Sequence, residues 1–387
     1  MPEIYLNNNS STRVDPEVLS AMLPYFSEQY GNPSNLHIFG RETREALEQA
    51  REQVASFINC KPEEIYFTSG GTEANNFAVK GVLRAIIDKG NHIIISSIEH
   101  HSVFDAVMFL EKMRYIEPTF LNVDQYGMTN PDDLKRVITD NTILVSIMHS
   151  NNEVGTIQPI KELCKVAHEK GVYFHTDAVA SAGKLMLDVA DLGVDLLSLS
   201  AHKFHGPKGV GALYIKEGVK IEKFMYGGEQ ERGMRAGTEN LPGIVGLGKA
   251  AVIAEQHLKG GGQEKIKSLR DYFEKVIISR IPDTKINGHL TKRYANISNI
   301  SFAKLDSKTL LANFDLAGIM ASAGYACVTD PLEKSHVLKA MGVSDEYNSS
   351  QIRFGLSKYT TQQEIDYTID ILQKVVAKLR NLNLPNT

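Results

Sequence analysis

Cysteine is scarce in this chain: 387 residues contain three, Cys60, Cys164 and Cys327. They form no Cys-x-x-Cys pair and no zinc-ligand spacing, which excludes a disulfide framework and predicts reduced thiols, as in a cytosol. None of the twelve histidines sits in a His-Glu-x-x-His pair, so no metal site is expected. An excess of basic charge is also missing. Lys and Arg number 42 against 46 Asp and Glu, leaving a net charge of -4 and a pI near 6.3. That balance argues against direct nucleic-acid binding, which usually needs a basic face. No apolar run reaches the ~18 residues of a membrane span. The opening residues, MPEIYLNNN, show no basic region followed by an apolar stretch, so no secretory signal is expected and the chain reads as cytoplasmic. What remains is a soluble globular composition, 42% hydrophobic and 23% charged, in a chain long enough for two or three cores.

Most of the chain alternates strand and helix patterns. Leu47, Ala50, Val54 and Phe57/Ile58 recur at helical spacing within residues 41–58. Short apolar runs at Ile65–Thr68, His92–Ser96, Ile143–Met148, Tyr173–Asp177 and Leu196–Ser200 predict strands covered on both faces. The pattern is that of an α/β protein with a mainly parallel sheet. A long helical pattern over Pro242–Leu258 stops at the run Lys259–Gly262, whose three glycines predict a joint. Beyond it come a helix, a strand (Ala295–Phe302), a helix, another strand and a final helix from Thr361, a smaller α+β set. The expected division is a large domain over residues 15–258 and a small domain made of 1–14 with 259–387.

In a parallel α/β sheet, ligands sit at the carboxyl ends of the strands. After Ile65–Thr68 stands Ser69-Gly70-Gly71-Thr72-Glu73, a glycine turn opening a helix, which suits an anion or a plain turn with Thr72 as N-cap. After His92–Ser96 comes Glu99-His100-His101; His100 can stack on a planar ring or be a surface residue. After Ile143–Met148 comes Asn151-Asn152-Glu153, which suits a turn and also offers amide donors. Asp177 ends its strand, and a carboxylate there needs a partner such as a protonated ring nitrogen. Ser200-Ala201-His202-Lys203 follows Leu196–Ser200; a desolvated lysine there can be neutral and form a Schiff base. Lys208 competes with Lys203 but sits in a Gly-Pro-Lys-Gly turn that reads as exposed. Each signal is weak alone. Together an anion cradle, a stacking ring, a carboxylate and a lysine at neighbouring strand ends suit pyridoxal phosphate.

These segments resemble the class V aminotransferase superfamily, and within it the cysteine desulfurases of NifS and IscS type. The resemblance runs nearly end to end, through GNPSNLH, TSGGTEANN, EHHSV, NNEVGTIQPI, SLSAHKFHGPKGVG and GGEQERGMRAGTEN. It implies the fold type I of pyridoxal-phosphate transferases, with a mainly parallel seven-stranded sheet in the large domain. It implies that Lys203 carries the cofactor, that His100 stacks on its ring, and that Asp177 pairs with the ring nitrogen. Gly71, Thr72, Ser200 and His202 would bind the phosphate, with Thr238 reaching over from a neighbouring subunit of a homodimer. Asn152 would lie beside the cofactor oxygen and the substrate carboxylate, which Arg353 would grip in a bidentate pair.

Cys327 matches the family's sulfur-accepting cysteine, and its spacing to Ser335-His336-Val337-Leu338 matches the group with the longer active-site loop. The stretch Ser322–Lys334 has little apolar periodicity, which predicts a mobile loop. Cys60 and Cys164 read as structural. The implied reaction converts L-cysteine to L-alanine, leaves a persulfide on Cys327 and passes the sulfur to an acceptor or iron-sulfur scaffold protein, for cluster assembly or tRNA thiolation. Three departures stand out: Asn7, Ser10 and Ser11 in the family's L-D-x-x-A-T-T, Ala180 where a glutamine is usual, and Tyr325 before the cysteine. The rival readings are a selenocysteine lyase, an aminotransferase or a β-eliminating lyase on the same fold, or a weakly active paralogue that mainly binds partner proteins.

Overall fold

The computed structural model describes residues 3–324 and 334–382. The strands among them are β1 (Ile4–Tyr5), β2 (Ile65–Thr68), β3 (His92–Ser96), β4 (Glu117–Leu121), β5 (Thr142–Ser146), β6 (Tyr173–Asp177), β7 (Leu196–Ser200), β8 (Gly211–Ile215), β9 (Thr284–Asn287), β10 (Ile297–Phe302), β11 (Ile319–Met320) and β12 (Gln351–Gly355). Seven of them form one sheet in the order β2-β8-β7-β6-β5-β3-β4. Only β8 runs against the rest, antiparallel to both β7 and β2. The run expected at Ile143–Met148 lies one to two residues earlier, at β5. Two strands of this sheet escaped the sequence pattern. β4 (EPTFL) is a half-exposed edge strand with only its last residue buried, so it shows no apolar run. β8 (GALYI) is fully buried but opens with glycine, which weakens the strand signal.

Every residue of β3, β5 and β7 is buried. The alternation of side chains across the pleat explains why. Ile94, Val145 and Leu197 point into a core shared with the helices Ile38–Ile58, Ile160–His168 and Leu241–Lys259. Ile93, Ile95, Leu144 and Leu196 point into the opposite core, under the helices Gly71–Ile86 and His101–Lys112. Sheet and helices thus form three layers, with the parallel strands ending at one rim.

A further core lies on the antiparallel sheet β12-β10-β9, against the helices Gly262–Arg280 and Gln362–Leu382. Ile4 and Leu6 belong to it, because β1 pairs in parallel with β11. The glycine run does separate two helices, but the joint is shorter than the pattern suggests: one helix ends at Lys259 and Gly262 already begins the next. The chain then returns to the rim through two bridges, Asn7 to Gly355 and Ser322 to Arg353, which bring β12 and the N-terminal segment beside the strand ends.

Candidate active site

Lys203 follows β7 in a single helical turn, half-buried, and its Nζ donates to the carbonyls of Asn9 at 2.7 Å and Ser10 at 2.8 Å. Beside it, at the rim of the parallel strands, opens a cavity of about 260 Å³. Gly71, Thr72, His100, Asn152, Asp177, Ser200, His202, Lys203 and Arg353 all line it. These residues come from six separate segments: the shared strand direction brings five of them to one rim, and the bridges of β12 bring Arg353.

Asp177, at the end of β6, is 4% exposed. Its Oδ1 accepts from the Val179 amide at 2.9 Å and its Oδ2 from Asn75 Nδ2 at 2.7 Å. The same Asn75 amide donates to Ser102 Oγ at 2.8 Å, and Ser102 Oγ lies 2.8 Å from His100 Nδ1. Asn75 and Ser102 therefore tie the carboxylate to the imidazole, and the sequence pattern assigned a role to neither. Asn75 lies three residues after Thr72 in TSGGTEANN, so its place on one face of the helix was the available signal. Burial pushes the His100 ring below its usual range, with Lys203 adding to this and Asp177 opposing it.

The helix Gly71–Ile86 starts at Gly71, with Gly70 at its N-cap, so Thr72 is its second residue and not the cap of the plain-turn alternative. A Cβ on Gly71 would meet Val179 Cγ2 at 2.6 Å, so only glycine lets the turn pass this close. The amides of the first turn have no partner within the helix and point out of its N-terminus. They face Ser200, 3% exposed, and His202, in an adjoining hollow that Lys208 also borders. Burial, then Lys203 and Lys208, push the His202 ring down to about 4, so it stands neutral and serves as a hydrogen-bonding group. Lys208 is exposed, as its turn predicted.

Arg353, in β12, is 4% exposed. Its Nη1 donates to the Asn152 carbonyl at 2.9 Å and its Nη2 to Ser322 Oγ at 3.1 Å, while its Nε is buried with no partner. Asn9, also lining the cavity and 4% exposed, has both amide atoms without a partner. Buried polar groups left unpaired are costly. The same cavity also gathers groups that would suit a polar ligand: a helix N-terminus with Ser200 and His202 for a phosphate, Asp177 for a ring nitrogen, Lys203 for an aldehyde carbon. The donor set fits pyridoxal phosphate.

Thr238 does not line the cavity; it is exposed, in the segment after Arg235, which pairs with Glu73 at 2.8 Å. Cys327 and Tyr325 lie outside the described residues. Cys164 is buried, with Sγ 3.1 Å from the Gly193 carbonyl, and burial pushes its thiol up to about 12; Cys60 is pushed up to about 12 in the same way. Both are thereby kept as inert thiols.

Residues 4–368 match the family model described as aminotransferase class-V. The chain belongs to that family. Cysteine desulfurase IscS of Dictyoglomus turgidum is 50% identical over 381 residues, which cover 98% of this chain and 96% of that protein. Among solved structures, a NifS-like protein superposes with a TM-score of 0.91 at 37% identity, covering 98% of this chain and all of that one. SspA, solved in complex with cysteine, superposes with a TM-score of 0.81 at 34% identity over 92% of this chain and all of that one. Family membership fixes the architecture as the fold type I of pyridoxal-phosphate enzymes, and the cofactor as pyridoxal 5'-phosphate. The chain is an enzyme of the cysteine desulfurase group.

Proposed function

We propose that this enzyme removes sulfur from L-cysteine, releasing L-alanine and leaving a persulfide on Cys327. The observation that carries the reading is the convergence of Lys203, His100, Asp177 and Arg353 on one cavity, in a chain half identical to a cysteine desulfurase. Pyridoxal phosphate, bound through Lys203, supplies an electron-withdrawing ring that makes the bonds at the substrate's α-carbon easier to break. Asp177, anchored by Asn75 and the Val179 amide, would pair with the ring nitrogen and favour its protonated form. Gly71, Thr72, Ser200 and His202 hold the phosphate. Arg353, whose Nε is the guanidinium nitrogen without a partner, holds the substrate carboxylate, with the Asn152 amide beside it. His100 and Lys203 line the same cavity, and either would serve as the base that takes the substrate's α-proton. The Cys327 thiolate would then attack the substrate sulfur: the new S–S bond forms as the substrate's Cβ–S bond breaks, and the electron pair left on the carbon skeleton takes up a proton to give alanine.

The working form is a homodimer in the cytoplasm in which Thr238 of the partner subunit reaches the phosphate. Exposed apolar side chains support this, among them Leu23, Phe26, Tyr30, Leu36 and Ile38, gathered within residues 19–39. The sulfur goes to an acceptor or iron-sulfur scaffold protein. The test is to load the protein with cofactor, add L-cysteine, and measure alanine release while trapping persulfide by alkylation for mass spectrometry. Cys327→Ser should keep its colour and bind cysteine but lose persulfide and most alanine release; Cys60→Ser and Cys164→Ser should behave as the wild type. A persulfide on Cys60 or Cys164, or undiminished turnover in Cys327→Ser, refutes the assignment.

A further inference from the structure

Lys203 borders a second, smaller cavity of about 30 Å³, between the helix Leu241–Lys259 and the segment that follows β12. A second lysine, Lys184, lines it as well. Lys184 is 5% exposed, its Nζ donates to the Ala180 carbonyl at 2.7 Å, and it lies 5.3 Å from the centre of the buried Tyr294 ring. Among the described residues no carboxylate is within ion-pairing distance of it. The charged and titratable groups around it are Lys203 and Arg353, with His205, His257 and Lys358 on the same cavity. Lys358 on that cavity is paired with Asp15, and among the described residues no ion pair reaches Lys184. A buried lysine in such a setting is unusual, since burial of an ammonium ordinarily requires a paired acid.

We propose that Lys184 is a positioning residue for Lys203: a buried amine with no counter-ion among the described residues, on a shared cavity, whose charge decides how readily Lys203 keeps its own proton. This rests on the reading that Lys203 carries the cofactor. Burial, then Lys203 and Arg353, push the Lys184 amine down to about 7. Repulsion between like charges is reciprocal, so a proton on Lys184 disfavours one on Lys203 by the same amount. A Lys203 amine that is to take the substrate's α-proton must first be neutral, with the bonding electrons staying on the substrate carbon. Below about 7, where it keeps its own proton, Lys184 favours that neutral state from a position that does not touch the reacting atoms. The Ala180 carbonyl fixes where the charge sits.

The test is a pH titration of the visible band of the cofactor-loaded protein in the wild type, Lys184→Met and Lys184→Arg. Loss of the charge in Lys184→Met should raise the midpoint by about one pH unit, and the titration should become a single step. Lys184→Arg, with a fixed charge, should keep the midpoint at or below that of the wild type. A purely structural lysine would lower the stability of both variants and leave both midpoints in place. A Lys184→Met midpoint that is unchanged or lower overturns the proposal. NMR of the wild type labelled with ¹³C at the lysine ε-carbon, with the Lys184 signal assigned by its loss in Lys184→Arg, decides the matter even if Lys184→Met does not fold. A Lys184 signal titrating near 7 supports the proposal, and one titrating near the ordinary ~10.4 overturns it. Failure of the protein to take up pyridoxal phosphate would refute the role of Lys203 instead, and the NMR titration would still report on Lys184.

Discussion

Asp177→Asn separates the cofactor's electrostatics from the packing around it. The Asp177 carboxylate accepts two hydrogen bonds inside the protein, from Val179 N and Asn75 Nδ2, and each oxygen keeps a lone pair for the ring nitrogen. Asparagine has the same shape but turns one acceptor into a donor. If Asn75 stayed as it is, that new donor would face the Asn75 amide or the Val179 N–H. Asn75 Oδ1, however, has no partner, so the Asn75 amide can turn over and accept from the new side chain. The fold should therefore lose little, about 1 kcal/mol, the net value of one hydrogen bond. The cofactor loses a charge-assisted bond worth about 1.5–3 kcal/mol, which weakens its binding roughly 10- to 100-fold at ~1.4 kcal/mol per decade. Turnover should fall further, because an unprotonated ring nitrogen withdraws electrons less. Equilibrium dialysis against pyridoxal phosphate and thermal unfolding of the unloaded protein measure the two quantities. Equal cofactor affinity in variant and wild type would refute the placement of the ring nitrogen at Asp177. A large loss of stability with unchanged affinity would show that the carboxylate serves the fold alone.

Three further outcomes are expected. Arg353→Gln should lower kcat/KM for cysteine about 10- to 100-fold through loss of a charge-assisted pair, mainly in KM, while cofactor loading holds; an unchanged KM would move the carboxylate site elsewhere. Ala180→Gln should fill part of the cavity and add a donor near the cofactor, moving the pH titration of its visible band; an identical titration would make Ala180 a silent substitution. Glu99, wholly buried, is pushed up to about 8 by burial and then by Asp177, so the folded protein holds a proton that the unfolded chain releases above its ordinary ~4.3. Its contribution to stability is present at low pH and lost as pH rises toward about 8. Glu99→Gln, which mimics the protonated acid, should flatten the fall in stability between about pH 5 and 8, measured by denaturant unfolding; an equally steep fall would mean that Glu99 is ionised in the folded state.

The sequence by itself determined the strands at Ile65–Thr68, His92–Ser96, Tyr173–Asp177 and Leu196–Ser200, because strands covered on both faces are written as short apolar runs. It also placed Asp177 and Lys203 at strand ends, since motif and strand are adjacent in the chain. The half-exposed β4 and the glycine-led β8 leave no such run, and the reversed direction of β8 depends on its pairing with β2 and β7, which no local pattern records. Only the tertiary structure brought Arg353 across to Asn152, 201 residues away, because the bridges from β12 to the N-terminal segment and to Ser322 are long-range contacts. The same holds for Lys184. In the sequence it is one lysine in an Ala-Gly-Lys turn, and only its burial beside Lys203 and Arg353, with no acid in ion-pairing distance among the described residues, gives its charge a consequence. Which residues follow a strand is local information, whereas the charges that surround a residue are set by every segment packed against it.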